Sequence, residues 1–308
     1  ALVVATAFAV GPTVASVILS VWSWPWLFAI NVPLGLVGFV LASRHLPHTE
    51  LAGYRFDLPT AAFNACAFGL LILALGDAAH ASSAPVIAAE LAASMVFFAL
   101  LLRRQAGHQA PMLPVDLFRR PLFALSSFTA VCTFAAQGLA FVSLPFYFES
   151  VLGRSPVETG FLMTPWAVLV GVMAPIAGRL SDRYSAGLLG GCGLLALAAG
   201  LVALAIMPAH PSVLSICWRM ALCGVGFGFF QAPNLKAIMS SAPPARAGGA
   251  SGIVATSRLM GQASGSALVA LCFTMAGTGG TTLALGLAAA SAAAASAASF
   301  TRLLVRAD

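Results

Sequence analysis

The chain has 308 residues, 60% of them hydrophobic and 8% charged, with a net charge of +6. A soluble domain carries about 45–50% apolar and about 25% charged residues, so a soluble fold of this length could not hide so much apolar surface. The basic residues sit in small groups between apolar runs, which excludes a nucleic-acid-binding face and fits a membrane topology.

A membrane-spanning helix needs about 20 mainly apolar residues. That length predicts ten spans, over 1–20, 26–43, 58–77, 84–102, 122–148, 159–178, 187–207, 213–235, 249–275 and 280–304. The first run begins at Ala1 with no initiator Met and no basic segment before it, so it is expected to be a span cut from a longer protein rather than a signal peptide. Pro, Gly and charge punctuate the breaks, as at Pro47-His48, Pro111 to Pro114, Pro208 to Pro211 and Pro243-Pro244. The runs do not alternate in polarity as barrel strands would. The expected fold class is therefore an all-α membrane protein, a helical bundle with about ten transmembrane helices.

Strict alternation puts Arg44, Arg55, Arg103, Arg104, Arg119, Arg120, Arg179, Arg183, Lys236, Arg246, Arg302 and Arg306 on one side, against Arg154 alone on the other. The positive-inside rule makes the basic side cytoplasmic, with both chain ends facing it. Arg219 and Arg258 fall within spans. With Glu90, Gln137, Gln231 and Asn234 they are the intramembrane polar candidates, because charge in the bilayer is costly and marks function. Arg258 is the favoured cavity residue. Arg219, near an outer end, is expected to snorkel.

The pairs Gly224/Gly228, Gly248/Gly252 and Gly261/Gly265, each four residues apart, allow close helix approach. The six cysteines all lie in apolar runs, with no CxxC, and read as small apolar filler. The five histidines fall in loops, and no HExxH, GxSxG, Walker or Asp-rich diphosphate motif occurs. Neither an enzyme nor a metal site is expected.

Gly11-Pro12, followed by a run whose fixed points are Trp24, Trp26, Phe28, Ile30, Asn31, Pro33 and Gly35, resembles the major facilitator superfamily. More narrowly it resembles the fourteen-span drug:proton antiporter branch, where a Gly-Pro pair lies in the fifth helix and a W-x-W-x-F-x-I-N-x-P-x-G run leads into the sixth. This chain has Ala7, Ala15, Ser16 and Ile18 where that motif carries further glycines. Pro12 would let its helix bend, and the tryptophans suit a membrane interface.

The second signature, Gly178-Arg179-Leu180-Ser181-Asp182-Arg183, resembles the superfamily's loop between the second and third helices of each six-helix half. By that likeness Asp182 would bond free N–H groups at the next helix start, while Arg179 and Arg183 meet acceptors or lipid phosphate. Pro121 to Gly138, with Leu144-Pro145, resembles the ninth span. Gly249 to Gly252, with Arg258, Gly261, Gln262 and Gly265, resembles the thirteenth.

The likeness covers nearly the whole chain and assigns the spans to helices 5–14. Residues 1–46 would hold the last two helices of the first half, 47–116 an extra helix pair with its linkers, and 117–308 the second half. It implies proton-coupled efflux of lipophilic, often cationic, drugs by alternating access across a bacterial inner membrane. The proton gradient would be the energy source and no cofactor would be needed. The implied partners are the lipid bilayer and a small-molecule substrate, with room for an envelope efflux partner and none for nucleic acid. Export of a specific metabolite is the alternative, and a non-transporting membrane sensor a more distant one.

Overall fold

A computed structural model describes residues 11, 14–15, 17–45, 57–79, 83–105 and 115–305. Nine helices among them are long and apolar enough to cross a membrane. The first span, Trp26–His45, is a single turn, Trp26–Ala29, leading into α1, Asn31–His45. The remainder are α2 Leu58–Ala79, α3 Ala84–Gln105, α4 Pro121–Phe146, α5 Pro156–Leu180, α6 Ala186–Ala205, α7 Val213–Ser240, α8 Ala247–Ala276 and α9 Gly280–Thr301. Nine of the ten expected spans thus fall on helices. The remaining one, 1–20, lies mostly outside the described residues, although 17–21 are helical.

Local chemistry sets the ends. Ser155 and Glu158 close a capping box: the Glu158 N–H donates to Ser155 Oγ at 3.2 Å, and the Ser155 N–H donates to Glu158 Oε2 at 2.9 Å. With Pro156 preset for the first turn, α5 starts three residues before its apolar run does. Ser185 and Ser212 cap α6 and α7 in the same way, each through its hydroxyl. Pro145 cannot donate to the helix ladder, and α4 passes beyond it into a π-turn, Tyr147–Val151. At its far end α7 runs a turn past the expected limit at 235, because a helix need not stop where its apolar stretch does.

Helices α4–α9 form one bundle. Around it α8 packs on α4, α4 on α9, α9 on α6, α6 on α7 and α7 on α5. Trp166, Phe227, Phe230, Leu139, Leu197 and Met220 are buried at its centre. The aromatic rings meet edge to face, with Phe141–Trp166 centroids 5.1 Å apart and Phe134–Phe227 5.7 Å. The α2–α3 hairpin touches this bundle through α2 on α8. By contrast, α1 buries none of its residues.

Glycine decides which faces come close. Ideal Cβ atoms at Gly261 and Gly265 would lie 2.5 Å from Val131 O and 2.3 Å from Ala135 O of α4. At Gly224 and Gly228 they would strike Trp166 O at 2.4 Å and the Met173 Cβ at 2.8 Å, both on α5. The third pair, Gly248 and Gly252, has nothing within 4 Å, so the close-packing role expected for it is not seen among the described residues.

Candidate functional site

Four helices enclose a cavity of about 200 Å³. Ala130 and Phe134 of α4, Ala174 of α5, Phe230, Gln231 and Asn234 of α7, and Val254 and Arg258 of α8 line it. Arg258 stands three turns into α8 from Ala247, about 16 Å along the axis. Among the described residues its side chain has no hydrogen bond or ion pair. Thus Arg258, Gln231 and Asn234, three of the polar candidates, come together at one cavity. A second, apolar cleft of about 490 Å³ lies between α2, α4 and α8, lined by Phe68, Phe128, Val131, Ile253 and Met260 among others.

Asn234 also faces away from the cavity, into a buried polar node. Arg302, only 4% exposed, donates from Nη1 to Asn234 Oδ1 at 2.8 Å and to Ser126 Oγ at 3.1 Å, and from Nη2 to Ser299 Oγ. Asn234 Nδ2 in turn donates to Ser126 O at 3.2 Å. The node ties α4, α7 and the end of α9. Glycines of α6 admit α9: a Cβ at Gly190 would come within 3.1 Å of Arg302 Nη2, and one at Gly187 within 2.9 Å of Ser299 O. Burial lowers the guanidinium only to about 10, so it stays charged at neutral pH. Sequence reasoning counted Arg302 as a loop charge and missed this role. The only available signal was a basic residue closing a helix built from Ala, Ser and Gly.

Ion pairs join the loops at this same end. Asp182 Oδ1 pairs with Lys236 Nζ of α7 at 2.6 Å, and the ammonium also donates to Ser181 O at 3.0 Å. This corrects the expectation that Asp182 caps the next helix. Ser185 sits nearer the start of α6 and caps it, which leaves Asp182 to the cation. That cation holds the carboxyl below its ordinary range. Arg179 and Arg183 have no protein acceptor among the described residues, and Gly178 has only Ala232 Cβ nearby, 3.9 Å from an ideal Cβ. Arg246 grips Asp116 with two bonds of 2.9 and 3.0 Å, and Arg120 donates to Ser241 O at 2.8 Å. In the hairpin, Arg104 grips Asp57 at 3.2 Å through both Nε and Nη2, and Asp57 is lowered to about 2 by Arg104 and Thr60.

The remaining candidates stand apart. Arg219 reaches back toward the outer end of α7: its Nε donates to Ala203 O at 2.9 Å and its Nη1 to Ser215 O at 2.7 Å. Ala203 O is among the last carbonyls of α6, which lack N–H donors within the helix, so the guanidinium completes that helix end. Gln137 of α4 accepts from Gln262 Nε2 of α8 at 3.1 Å, beside the glycine contact. Glu90 of α3 faces the Asp77 carboxyl of α2, outside the cavity. Pro12 lies outside the described residues, and Gly11 and Gly35 have nothing within 4 Å. Trp24, Trp26 and Phe28 are exposed; Trp22 stacks on Trp26 at 5.3 Å and Trp24 meets Phe28 edge-on at 6.2 Å. Asn31 Nδ2 donates back to Leu27 O at 3.1 Å, across the start of α1 where Pro33 stands. This motif is thus not brought to the cavity among the described residues.

The family model of the Major Facilitator Superfamily matches residues 1–266. The chain belongs to the major facilitator superfamily. It is 54% identical over 289 residues to the uncharacterized transporter YebQ of Escherichia coli (strain K12), which covers 93% of this chain and 63% of that one. It is 28% identical to the riboflavin transporter RibZ of Clostridioides difficile (strain 630), over 85% of this chain and 57% of that one. It is 30% identical to the multidrug resistance protein Stp of Mycobacterium tuberculosis (strain ATCC 25618 / H37Rv), over 84% of this chain and 48% of that one. The chain therefore spans from about half to under two thirds of the length of these curated relatives. As a superfamily member with nine candidate spans among its described residues, it is a multi-pass membrane protein.

Proposed function

We propose that the chain is part of a proton-coupled exporter of lipophilic, drug-like compounds, of the fourteen-span antiporter type. The observation that carries this is the cavity around Arg258: four helices give it a lining that is mostly apolar, with a few polar groups converging on it. Such a wall binds apolar compounds without demanding one hydrogen-bond pattern. Alternating access would expose it to each side in turn as two bundles rock about it. In this reading α4–α9 are the second six-helix half, α2 and α3 the extra pair, and the span Trp26–His45 the last helix of the first half. The basic end faces the cytoplasm of a bacterial inner membrane. The similarity to the multidrug resistance protein Stp supports drug efflux, and that to the riboflavin transporter RibZ supports the second reading, carriage of a specific metabolite.

Everted vesicles from cells expressing the whole gene test this. Uptake of several unrelated lipophilic compounds that stops on adding an uncoupler is the expected result. Uptake of one metabolite alone would favour the second reading, and uptake insensitive to the proton gradient would remove the coupling.

A further inference from the structure

Two of the bundle's arginines, Arg219 and Arg302, are accounted for by acceptors deep between its helices. Arg219 serves the carbonyls at the end of α6, and Arg302 serves the Asn234–Ser126–Ser299 node. Arg258 is exposed to the cavity, with no acceptor among the described residues. A guanidinium within a candidate spanning helix is costly unless negative charge compensates it once water is excluded. The carboxylates of α4–α9 and their connections do not supply it. Asp116, Glu149, Glu158 and Asp182 all lie at helix ends, and Asp116, Glu158 and Asp182 are committed to Arg246, Ser155 and Lys236 respectively. None lines the cavity.

We propose that the cavity takes an amphipathic organic anion, its carboxylate or sulfonate held by Arg258 and its apolar body by Phe134 and Phe230. This rests on the transport reading above and narrows its substrate class. The guanidinium is a planar fork of five donors that matches a two-oxygen acid, and Gln231 on the facing helix adds an amide to the same lining. The aromatic and small aliphatic side chains around them suit a ring system. A lipophilic cation at this wall meets an uncompensated like charge in a medium of low dielectric, which repels it.

The test uses the protein expressed from its whole gene, purified for equilibrium binding and, separately, in everted vesicles under a proton gradient. Three aromatic probes of similar bulk are compared: 1-naphthalenesulfonate, neutral 1-naphthalenemethanol and cationic (1-naphthylmethyl)trimethylammonium. The expected result is that wild type binds the sulfonate best. Arg258→Ala should weaken that binding about 10- to 100-fold, as loss of a charge-assisted pair does, and leave the cation unchanged or tighter. Arg258→Lys should restore part of the loss, which separates charge from fold. Binding of the cation but not the sulfonate by wild type overturns the proposal. So does an equal loss of all three probes in Arg258→Ala, which would make Arg258 a structural or coupling charge. Selective sulfonate binding without gradient-driven uptake of any probe supports the anion site and defeats the transport reading alone.

Discussion

Arg302 is a charge enclosed by two hydroxyls and an amide, with no carboxylate among its partners. Removing it would strand Asn234 Oδ1, which is buried with its residue at 3% exposure. Such an orphaned group costs about 1–3 kcal/mol. Arg302→Ala is therefore expected to lower the thermal unfolding midpoint in detergent, with Arg302→Lys in between; an unchanged midpoint for Arg302→Ala would show that the node bears no load. Asp182 behaves differently. Its pair with Lys236 leaves both side chains more than half exposed, and exposed pairs contribute about 0–1 kcal/mol. In the protein expressed from its whole gene, Asp182→Asn should leave insertion and stability intact yet slow transport, because the pair fixes the α5–α6 loop against α7, which the proposed alternating access would shift. Wild-type transport at equal expression would refute that role. The aspartate itself was legible from its motif. Its partner, 54 positions away, was not, because the sequence does not say which basic side chain the fold brings near. The same reason hid Arg302 among the loop charges.

At the scale of the helix, α8 offers a direct comparison between glycines that look alike in the sequence. A Cβ at Gly265 would sit 2.3 Å from a backbone oxygen of α4, whereas one at Gly252 would meet nothing within 4 Å. A clash with backbone cannot be relieved by turning a side chain, so the helices must move apart. Overpacking of this kind costs about 1–3 kcal/mol. Gly265→Ala should lower the unfolding midpoint, while Gly252→Ala should hold or raise it, since alanine favours helix over glycine by about 1 kcal/mol. Equal midpoints for the two variants would mean that α4 and α8 do not approach as described. The small-xxx-small pattern marks a helix able to pack closely but not the face that does so, which explains why two of the three expected pairs are engaged and the third is not. Helix existence was more legible than helix ends. Apolar length alone fixes a span to within about a turn, but α5 begins early at its Ser155 cap and α7 runs on through Lys236, and neither choice depends on hydropathy.

For the molecule as a whole, structure and charge answer separate halves of the orientation question. The contacts Asp116–Arg246, Arg120–Ser241, Asp182–Lys236 and Arg302–Ser126 gather the loop before α4, the α5–α6 and α7–α8 loops and the end of α9 at one end of the bundle. Arg154, in the α4–α5 loop, and the α6–α7 connection bridged by Arg219 belong to the other. That grouping fixes which loops share a side but not which side is cytoplasmic. The charge count gives the direction expected, because Lys and Arg tend to be retained on the cytoplasmic face during insertion. In a background freed of the six native cysteines, two of which are exposed, Arg103→Cys and Arg183→Cys should resist a membrane-impermeant maleimide in intact cells and react in everted vesicles. Arg154→Cys should do the reverse. Arg103 tests the α2–α3 hairpin separately from the bundle, since among the described helices α2 on α8 is the main contact between them. Outside labelling at Arg183→Cys would invert the bundle; outside labelling at Arg103→Cys alone would mean that the hairpin does not cross as a pair of spans.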